Sequence, residues 1–370
     1  MIRYVGSREM ADLLRREGPE AILRRLIASL RADFLRWPEF DLAPRLASHS
    51  AGGVIELMPI ADAAFYSFKF VNGHPGNTRL GKQTVVAFGV LADVATGYPL
   101  LICEMSVLTA LRTAATSALA ACHLARPESR SMALIGTGAQ AEFQALAFRL
   151  ALGIDEIRLF DLDPAAMAKA RTHLEGHGLK IVCAKSVDEA VAGADIVTTA
   201  TADKTRATIL TPDLVEPGQH LNAIGGDCPG KTELHPDIVA RARTIVEYEP
   251  QSRIEGRASR CPRIIPSPSC GACCAATHRA ASAATRSPCS TRSGSRWRIF
   301  QPCASCGRSR VPGRGSISFL NRTIPRICSD WCFRKATRSN GPLDQTGFRM
   351  VRKRPARASS RLTSAGSMKA

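Results

Sequence analysis

The chain has 370 residues, with 50 lysines and arginines against 32 acidic residues, and 13 cysteines. This length accommodates two domains. The charge is unevenly distributed: residues 257–370 contain 23 basic and 2 acidic side chains, whereas residues 1–256 contain 27 and 30, and only 4 of the cysteines. This composition excludes a secreted disulfide scaffold for residues 1–256. We find no signal segment and no long uninterrupted apolar run, so we expect a cytoplasmic protein without a membrane span.

Residues 1–115 are predicted to form an α+β domain of two helices followed by a β-meander. Ser7 is placed to cap a helix over residues 8–16, and Pro19 suits the first position of a second helix, whose apolar residues recur at helical spacing. Strands are predicted over residues 53–59, 64–71, 84–92 and 99–104, with turns at Asn72-Gly73 and Thr96-Gly97 and a closing helix over 106–125.

Residues 116–256 are predicted to form a Rossmann-type domain with a doubly wound parallel sheet, an α/β architecture. From residue 131 onward, short apolar segments alternate with helical ones. The predicted strands are 131–136, 157–160, 180–184, 195–200, 220–224 and 244–248; the predicted helices are 139–152, 164–177 and one that Ser186 opens with Glu189 as its capping-box partner.

A G-x-G-x-x-A turn lies between the first strand and the first helix of this domain. Gly136 permits the tight turn, Gly138 lets the backbone approach a pyrophosphate, and Ala141 is small enough for helix–strand packing. Asp161 ends the second predicted strand 23 residues beyond Gly138, where a carboxylate accepts hydrogen bonds from an adenosine ribose. Because no arginine follows Asp161 immediately, the pattern favours NAD over NADP. The alternative is a glycine turn in an unrelated α/β protein.

Two further polar residues follow predicted strands of this sheet, at the edge where such folds bind ligands. Thr201 comes just after one strand, and Asp227 follows another on the glycine-rich turn Gly225-Gly226. A carboxylate presented there suits acid–base chemistry, although from the pattern alone a turn or cap aspartate is the commoner case.

Several long motifs are spread over nearly all of residues 1–256. They are Arg45-Leu-Ala-Ser-His-Ser, Val54-Ile-Glu-Leu-Met-Pro, Phe68-Lys-Phe-Val-Asn-Gly-His-Pro, Ala110-Leu-Arg-Thr-Ala-Ala-Thr-Ser, the Gly136 turn and Gly225-Gly-Asp-Cys-Pro-Gly-Lys-Thr-Glu-Leu. Together these motifs resemble the ornithine cyclodeaminase/μ-crystallin family, and the last run and Val71-Asn-Gly-His-Pro resemble its ornithine cyclodeaminase branch. The resemblance implies an NAD-dependent conversion of L-ornithine to L-proline and ammonia in a homodimer paired through the meander domain.

The resemblance also implies roles for individual residues. It implies catalytic roles for Asp227, Lys69 and Glu56, substrate binding by Arg45, Lys69, Arg112 and Asp227, and NAD binding by Thr84, Arg112, Gly136, Gly138, Ala139, Gln140, Asp161, Thr201 and Lys231. Arginine and lysine suit the carboxylate of an amino acid. From pattern alone, each of Glu56, Lys69, Arg112 and Lys231 could equally be a solvated surface side chain.

We predict no metal site. His173 and His177 have a helical spacing that zinc can use, but no third ligand lies within reach in the sequence. Two other functions remain open for residues 1–256: a ketimine reductase or amino-acid dehydrogenase of the same superfamily, and a non-catalytic, crystallin-like binder. A third alternative is nucleic-acid binding by the basic tail, which would be salt-sensitive and sequence-blind, so no specific nucleic-acid partner is expected.

Residues 257–370 form a basic tail, which we predict to be disordered. The tail contains 20 arginines but only 3 lysines, a usage typical of a GC-rich gene translated out of frame. Residues 270–277 and 286–300 can be back-translated so that a one-base shift reads L-W-R-V-L-R-G-N and V-T-V-F-D-S-V-G-F-A-L-E-D-F, which resemble the family's C-terminal segments. The hypothesis is that the Rossmann domain is truncated near Gly256, and it predicts weak or no activity for the chain as written.

Overall fold

The computed structural model describes residues 1–42, 45–202, 207–226 and 232–247, and the backbone of two short strands beyond them. All of these residues belong to the first of two compact units, Met1–Asp330. The second unit, Trp331–Ala370, lies outside the described residues.

The N-terminal segment contains strand β1 (Arg3–Val5) and helices α1 (Ser7–Glu17) and α2 (Pro19–Leu35). Pro19 begins α2 as expected, and the apolar face of α2 is buried. The expected cap of α1 is wrong by one residue: Gly6 is the N-cap, and Ser7 is already helical. The carboxylate of Glu9 reaches back to accept the Gly6 N–H at 3.1 Å, which satisfies the helix end without a serine hydroxyl.

The first sheet is the predicted meander with three additional short strands. A 3-10 helix, Trp37–Glu39, precedes it, and its strands are β2 (Asp41–Leu42), β3 (Leu46–Ser50), β4 (Gly53–Ala61), β5 (Phe65–Gly73), β6 (Ala87–Asp93) and β7 (Pro99–Glu104). The order is β1-β7-β6-β5-β4-β2, with β3 also paired to β4. Only β1 runs parallel to its described neighbour. The three short strands lack the alternation that signals a strand in sequence.

One of the two expected turns in this sheet is confirmed and the other is wrong. Gly97, with φ +70°, closes the β6–β7 connection by donating to the Asp93 carbonyl at 2.8 Å. Asn72-Gly73 instead ends β5, and the chain reaches β6 through a 3-10 helix, Pro75–Leu80. Asn72 keeps this end paired because its side-chain oxygen accepts the Val86 N–H at 2.6 Å.

Helix α3 (Ser106–Leu124) leads out of the meander sheet and into the second domain. Glu104 accepts the Ser106 N–H at its start, as an acidic side chain at a helix N-terminus does. By length and composition α3 could cross a membrane, but 72% of the relevant window is buried inside the protein, as in a core helix. The expected domain boundary at residue 115 falls within this helix.

The second sheet confirms the doubly wound α/β prediction. Its elements are β8 (Ser131–Ile135), α4 (Ala141–Leu152), β9 (Glu156–Phe160), α5 (Pro164–Leu174), β10 (Lys180–Cys183), α6 (Val187–Val191), β11 (Ile196–Thr199), β12 (His220–Ala223), α7 (Pro236–Arg241) and β13 (Arg243–Val246). The described strands are parallel and begin in the order β10-β9-β8-β11-β12. The order reverses between β8 and β11, which places a ligand crevice at their carboxyl ends.

Two short strands beyond residue 256 complete this sheet. They are β14 (Ile264–Ile265) and β15 (Arg298–Gln301), and β15 lies between β12 and β13 while β14 pairs with β13. The sheet therefore extends past the boundary expected at residue 256. The other residues of the expected tail lie outside the described residues.

Candidate active site between the two sheets

The inner face of the meander sheet buries two charged side chains among apolar ones, and the outer face exposes several large apolar side chains. Lys69 on β5 is only 2% exposed, and Glu56 on β4 is also buried. On the opposite face, large apolar side chains are exposed by 37–43%; they are Ile55, Leu57, Tyr66, Phe88 and Leu100. A solvated strand lysine would show the reverse pattern, so the surface interpretation of Lys69 and Glu56 is wrong.

Lys69 lies in a closely packed part of this inner face. It is paired with Met58 on one neighbouring strand and with Gly89 on the other. A Cβ atom on Gly89 would lie 2.1 Å from the sulfur of Met105, so the Met105 side chain occupies the space that any larger residue would need. Glycine at position 89 thus lets Met105 cover the strand beside Lys69.

Arg45 and Glu56 form a buried ion pair on the same sheet. The guanidinium of Arg45 donates to the Glu56 carboxylate, and the two side chains are 6% and 10% exposed. Arg45 directly precedes β3, which pairs with β4 and so brings the two residues together. Glu56 therefore has a cation partner before any substrate amine arrives.

Arg112 connects helix α3 to the second sheet. Its guanidinium donates to the carboxylate of Glu247 at 2.6 Å, and the two side chains are 7% and 4% exposed. Glu247 immediately follows β13, so the pair lies at the carboxyl end of a parallel strand. The surface-helix interpretation of Arg112 is wrong. The Nε of Arg112 is buried and makes no hydrogen bond within the described part of the chain.

The surroundings of Lys69 alter its protonation. Burial lowers the pKa of the Lys69 ammonium well below its usual 10.5, and the positive charges of Arg112 and Arg45 lower it further, while Glu56 acts in the opposite direction. Arg45 and Arg112 therefore lie near enough to Lys69 to act on its charge, and we call these three residues the cation cluster. Lys69 is the member of that cluster that can lose its proton.

The glycine turn has the geometry expected of a dinucleotide site. Gly136 adopts φ +97°, and a Cβ there would lie 2.8 Å from the carbonyl oxygen of Ala200. Gly138 faces open space, with no atom within 4 Å of a Cβ placed on it. The first glycine is therefore required by the turn itself, whereas the second leaves room for a ligand.

The start of helix α4 is open to an anion. Ala139 is exposed, and Gln140 is the N-cap but makes no side-chain capping hydrogen bond. The Oε1 atom of Gln140 is buried and has no partner among the described residues. Ala141 is fully buried, which agrees with its predicted role in helix–strand packing. The N-terminus of a 12-residue helix without a side-chain cap favours a phosphate.

Asp161 is partly used by the turn itself. One of its oxygens accepts both the N–H and the hydroxyl of Thr137, at 2.6 and 3.0 Å, and the other accepts the Asp163 N–H at 3.0 Å. A carboxylate has about four acceptor positions, so Asp161 keeps capacity for a ribose hydroxyl. The sequence pattern did not indicate that Asp161 also stabilises the glycine turn through its hydrogen bonds with Thr137.

Thr201 is held by a residue that the sequence analysis missed. Its N–H and its hydroxyl both donate to one oxygen of Glu233, at 2.9 and 2.6 Å. The other oxygen of Glu233 accepts the Thr199 hydroxyl at 2.8 Å and the Gly225 N–H at 2.9 Å. Both donors of Thr201 are therefore engaged within the protein, so it offers a cofactor only acceptor and apolar contacts.

The remaining expected site residues are either peripheral or outside the described part. Asp227 and Lys231 lie outside the described residues. Thr84 is half-buried in the loop before β6, where its carbonyl accepts the His74 N–H at 2.9 Å. Within the described ranges, no three histidine, cysteine, aspartate or glutamate side chains form a potential metal site.

Two functional candidates, Glu233 and Glu247, emerged only from the structure. Glu233 belongs to the glycine-rich motif at residues 225–234, so that motif was the available signal, but nothing in it distinguishes a buried glutamate from a solvated one. Glu247 follows an apolar strand, where a charged residue is ordinary. Its pairing with Arg112 spans 135 residues of sequence.

Comparison with known proteins relates the chain to one family. The profile of the ornithine cyclodeaminase/mu-crystallin family matches residues 8–275. Among curated proteins, ornithine cyclodeaminase from Brucella suis biovar 1 (strain 1330) is 58% identical over 266 residues, which cover 72% of this chain and 74% of that protein.

Solved structures show the same fold. A lysine cyclodeaminase described in terms of its recognition of L-lysine, L-ornithine and L-2,4-diaminobutyric acid has a TM-score of 0.73 and 25% identity, covering 92% of this chain and 94% of that one. An archaeal alanine dehydrogenase dimer with bound NAD also has a TM-score of 0.73, at 24% identity, covering 90% and 97%. The family profile and the identity to the Brucella protein agree with the motifs and with the two-sheet architecture: the chain belongs to the ornithine cyclodeaminase/mu-crystallin family.

Proposed function

We propose that the protein is an NAD-dependent ornithine cyclodeaminase, which converts L-ornithine to L-proline and ammonia. The observation that carries the proposal is the buried cluster of Arg45, Lys69 and Arg112. The ion pair between Arg112 and Glu247 connects this cluster to the carboxyl end of a strand in the dinucleotide-binding sheet. An anionic amino acid bound there lies beside the cofactor crevice. The ornithine cyclodeaminases at 58% identity support the same reaction.

The cations bind the substrate carboxylate. In the free protein Glu56 and Glu247 already offset two of the three positive charges. The third belongs to Lys69, whose lowered pKa reduces its repulsion of the arginines. An arriving carboxylate favours the charged form of Lys69, so carboxylate binding and protonation of Lys69 reinforce each other.

Lys69 also serves as the proton acceptor. The α-ammonium of ornithine must lose a proton before its α-carbon can become an imine carbon. A buried lysine with a lowered pKa supplies a neutral amine for this step, and it then remains as a cation beside the substrate carboxylate. The side-chain amine of ornithine next adds to the imine carbon, and ammonia leaves. We assign the Glu56 carboxylate to contact that amine and Asp227 to move its proton.

The second domain fits NAD. The open space at Gly138, the uncapped start of α4 and the buried, unpartnered Oε1 of Gln140 together suit a pyrophosphate and its neighbours. Asp161 would hold the adenosine ribose, and Thr201, Thr84 and Lys231 complete the proposed cofactor contacts. Bound NAD would supply the hydride acceptor for the α-carbon and, once reduced, the hydride donor for the cyclic imine, with no net redox change. Burial of the cation cluster helps exclude water, which protects the imine from hydrolysis.

Product analysis tests the reaction. The purified chain is incubated with L-ornithine and an amount of NAD well below that of the substrate, and proline, ammonia and NADH are measured. Equal amounts of proline and ammonia without accumulation of NADH are expected, and the tail hypothesis predicts that they form slowly. NADH formed in proportion to the ammonia would instead indicate an amino-acid dehydrogenase. NAD binding without any turnover, even after the family's C-terminal segment has been restored in frame, would indicate a crystallin-like binder.

We further propose a homodimer joined through the outer face of the meander sheet. That face carries the exposed Ile55, Leu57, Tyr66 and Phe88, and the Phe88 ring stacks on Phe70 with centroids 5.1 Å apart. An apolar patch of this kind on one sheet face is typical of a protein interface. The related alanine dehydrogenase is a dimer.

We further propose that the tail is translated out of frame and that the protein is cytoplasmic. The family profile runs 19 residues past Gly256 and ends at residue 275, 95 residues before the end of the chain, so a frame change within residues 256–275 would account for where it ends. Sequencing the coding DNA for these residues tests this, because out-of-frame translation requires an added or lost base there. Three free cysteines among the described residues, Cys103, Cys122 and Cys183, suit the reducing cytoplasm expected from the sequence.

A further inference from the structure

The strongest feature outside the cation cluster is the carboxylate of Glu233. It is 3% exposed and accepts four hydrogen bonds. Each oxygen accepts one backbone N–H and one threonine hydroxyl, an arrangement that suits an acceptor-only carboxylate. The donors come from two neighbouring strands: Thr199 and Thr201 at the end of β11, and Gly225 just after β12.

The backbone of Glu233 is itself fixed. Its carbonyl accepts the N–H groups of Ile209 and Leu210, at 2.7 and 3.0 Å. Leu234, the next residue, forms a β-bridge with Leu210, and both leucines are buried. The backbone that carries the carboxylate is therefore held in place, and the carboxylate packs closely against the strand ends. At Gly225 a Cβ would lie 2.0 Å from a Glu233 oxygen, so this contact requires glycine.

The position of Glu233 relative to the sheet reversal assigns it to one half of the cofactor site. Asp161 and the Gly138 turn lie on the β8–β9 side, which takes the adenosine half of a dinucleotide. The ends of β11 and β12 lie on the other side of the reversal, which takes the nicotinamide half.

We propose that Glu233 is a positioning residue for the nicotinamide half of the cofactor site, acting through its hydrogen bonds to Thr201 and Gly225. The inference rests on the NAD binding of the proposed function. Neither donor of Thr201 is available to the cofactor, so Thr201 serves by its fixed position. Glu233 sets that position by joining the ends of β11 and β12 at one point.

Replacement of Glu233 by glutamine tests the proposal, because the two ends of an amide differ whereas the two oxygens of a carboxylate are alike. An amide has one acceptor oxygen and one NH₂ group, so Glu233→Gln must leave either the Thr201 N–H or the Gly225 N–H without an acceptor, whichever way the amide points. The threonine hydroxyls can rotate and adapt, but the backbone cannot. A matched control is Thr199→Val, which removes one hydroxyl bond and leaves both backbone bonds intact.

The measurement is calorimetric binding of NAD and of AMP to the full-length chain. AMP occupies only the adenosine half, so it reports on general damage. For Glu233→Gln we expect the Kd for NAD to rise about tenfold or more while the Kd for AMP changes less than about twofold. Thr199→Val should leave both within about threefold. Glu233→Asp, which keeps the charge but retracts it by one methylene, should show the same selective loss if the glutamine variant does not fold.

The outcomes separate the two proposals. An equal loss of NAD and AMP affinity in the Glu233 variants would mean that Glu233 only supports the fold, and unchanged NAD affinity would mean that it positions nothing; either overturns the inference alone. Failure of the unsubstituted chain to bind NAD overturns both the inference and the proposed function. NAD binding with selective loss in the variants but without proline formation supports the inference and rejects the proposed reaction.

Discussion

Replacing Glu247 by glutamine is expected to destabilise the protein strongly, because it leaves the Arg112 guanidinium buried without an anion. The two side chains are 7% and 4% exposed, and their charged atoms are 2.6 Å apart. Loss of one partner from such a pair costs about 3–5 kcal/mol, since the remaining charge cannot return to water. Glutamine can still accept one hydrogen bond, so we expect about 3 kcal/mol. This is a large share of the roughly 5–15 kcal/mol that stabilises a typical domain.

A surface pair of the same length provides the control. Lys180 and Glu156 are also 2.6 Å apart, but the Lys180 side chain is 71% exposed. Lys180→Met should cost no more than about 1 kcal/mol, because the lysine charge is largely hydrated in the folded chain and Glu156 keeps Arg158 as a partner at 2.7 Å. The contrast therefore compares a buried charge that loses its anion with an exposed pair whose remaining carboxylate keeps a cation.

The free energy of unfolding is measured by urea denaturation, which leaves the ionic strength unchanged. A double variant, Arg112→Met with Glu247→Leu, should recover most of the stability lost in Glu247→Gln, because an apolar pair needs no hydration. The same double variant should lack turnover, because Arg112 is assigned to the substrate carboxylate. This reasoning would be refuted if Glu247→Gln cost as little stability as Lys180→Met. It would also be refuted if the double variant lost as much stability as Arg112→Met and Glu247→Leu lose together when each is made alone.

Three further predictions concern other parts of the site and the assembly. Lys69→Met should abolish proline formation yet increase stability at pH 7, because the pKa of Lys69 is lowered on folding. Between that lowered pKa and 10.5 the unfolded chain binds more protons than the folded chain. The stability of the unsubstituted chain should therefore rise with pH across this window, and the stability gain of Lys69→Met should shrink. Parallel urea titrations of both proteins at pH 7 and 9.5 that show a constant difference would contradict this. Gly136→Ala should destabilise the fold, whereas Gly138→Ala should fold normally and lose NAD affinity, because only the first position is sterically closed. Thermal melts and calorimetry distinguish the two variants, and an equal loss of melting temperature in both would argue against the assignment. Leu57→Asp should convert a dimer to a monomer in sedimentation, and an unchanged mass would reject the outer face as the interface.

The sequence was sufficient for those features that depend on local pattern. Alternating strands and helices determined the parallel sheet, and the glycine turn with Asp161 at the end of the second strand located the cofactor half, because backbone geometry at Gly136 excludes other residues. The meander strands followed from their apolar runs. Short elements such as β1 and β3 were missed because a few residues without alternation carry no such pattern.

Only the tertiary structure decided which charged side chains face the interior and which residues pair with them. The alternation on β5 showed two different faces, but assigning the lysine to the interior required the neighbouring strands and helix α3, which supply Arg45, Glu56 and Arg112 from distant parts of the chain. The contacts of Glu233 with Thr201 and of Glu247 with Arg112 likewise join residues 32 and 135 positions apart. A charged residue is buried when partners from elsewhere compensate its loss of water, and a linear pattern does not contain that information.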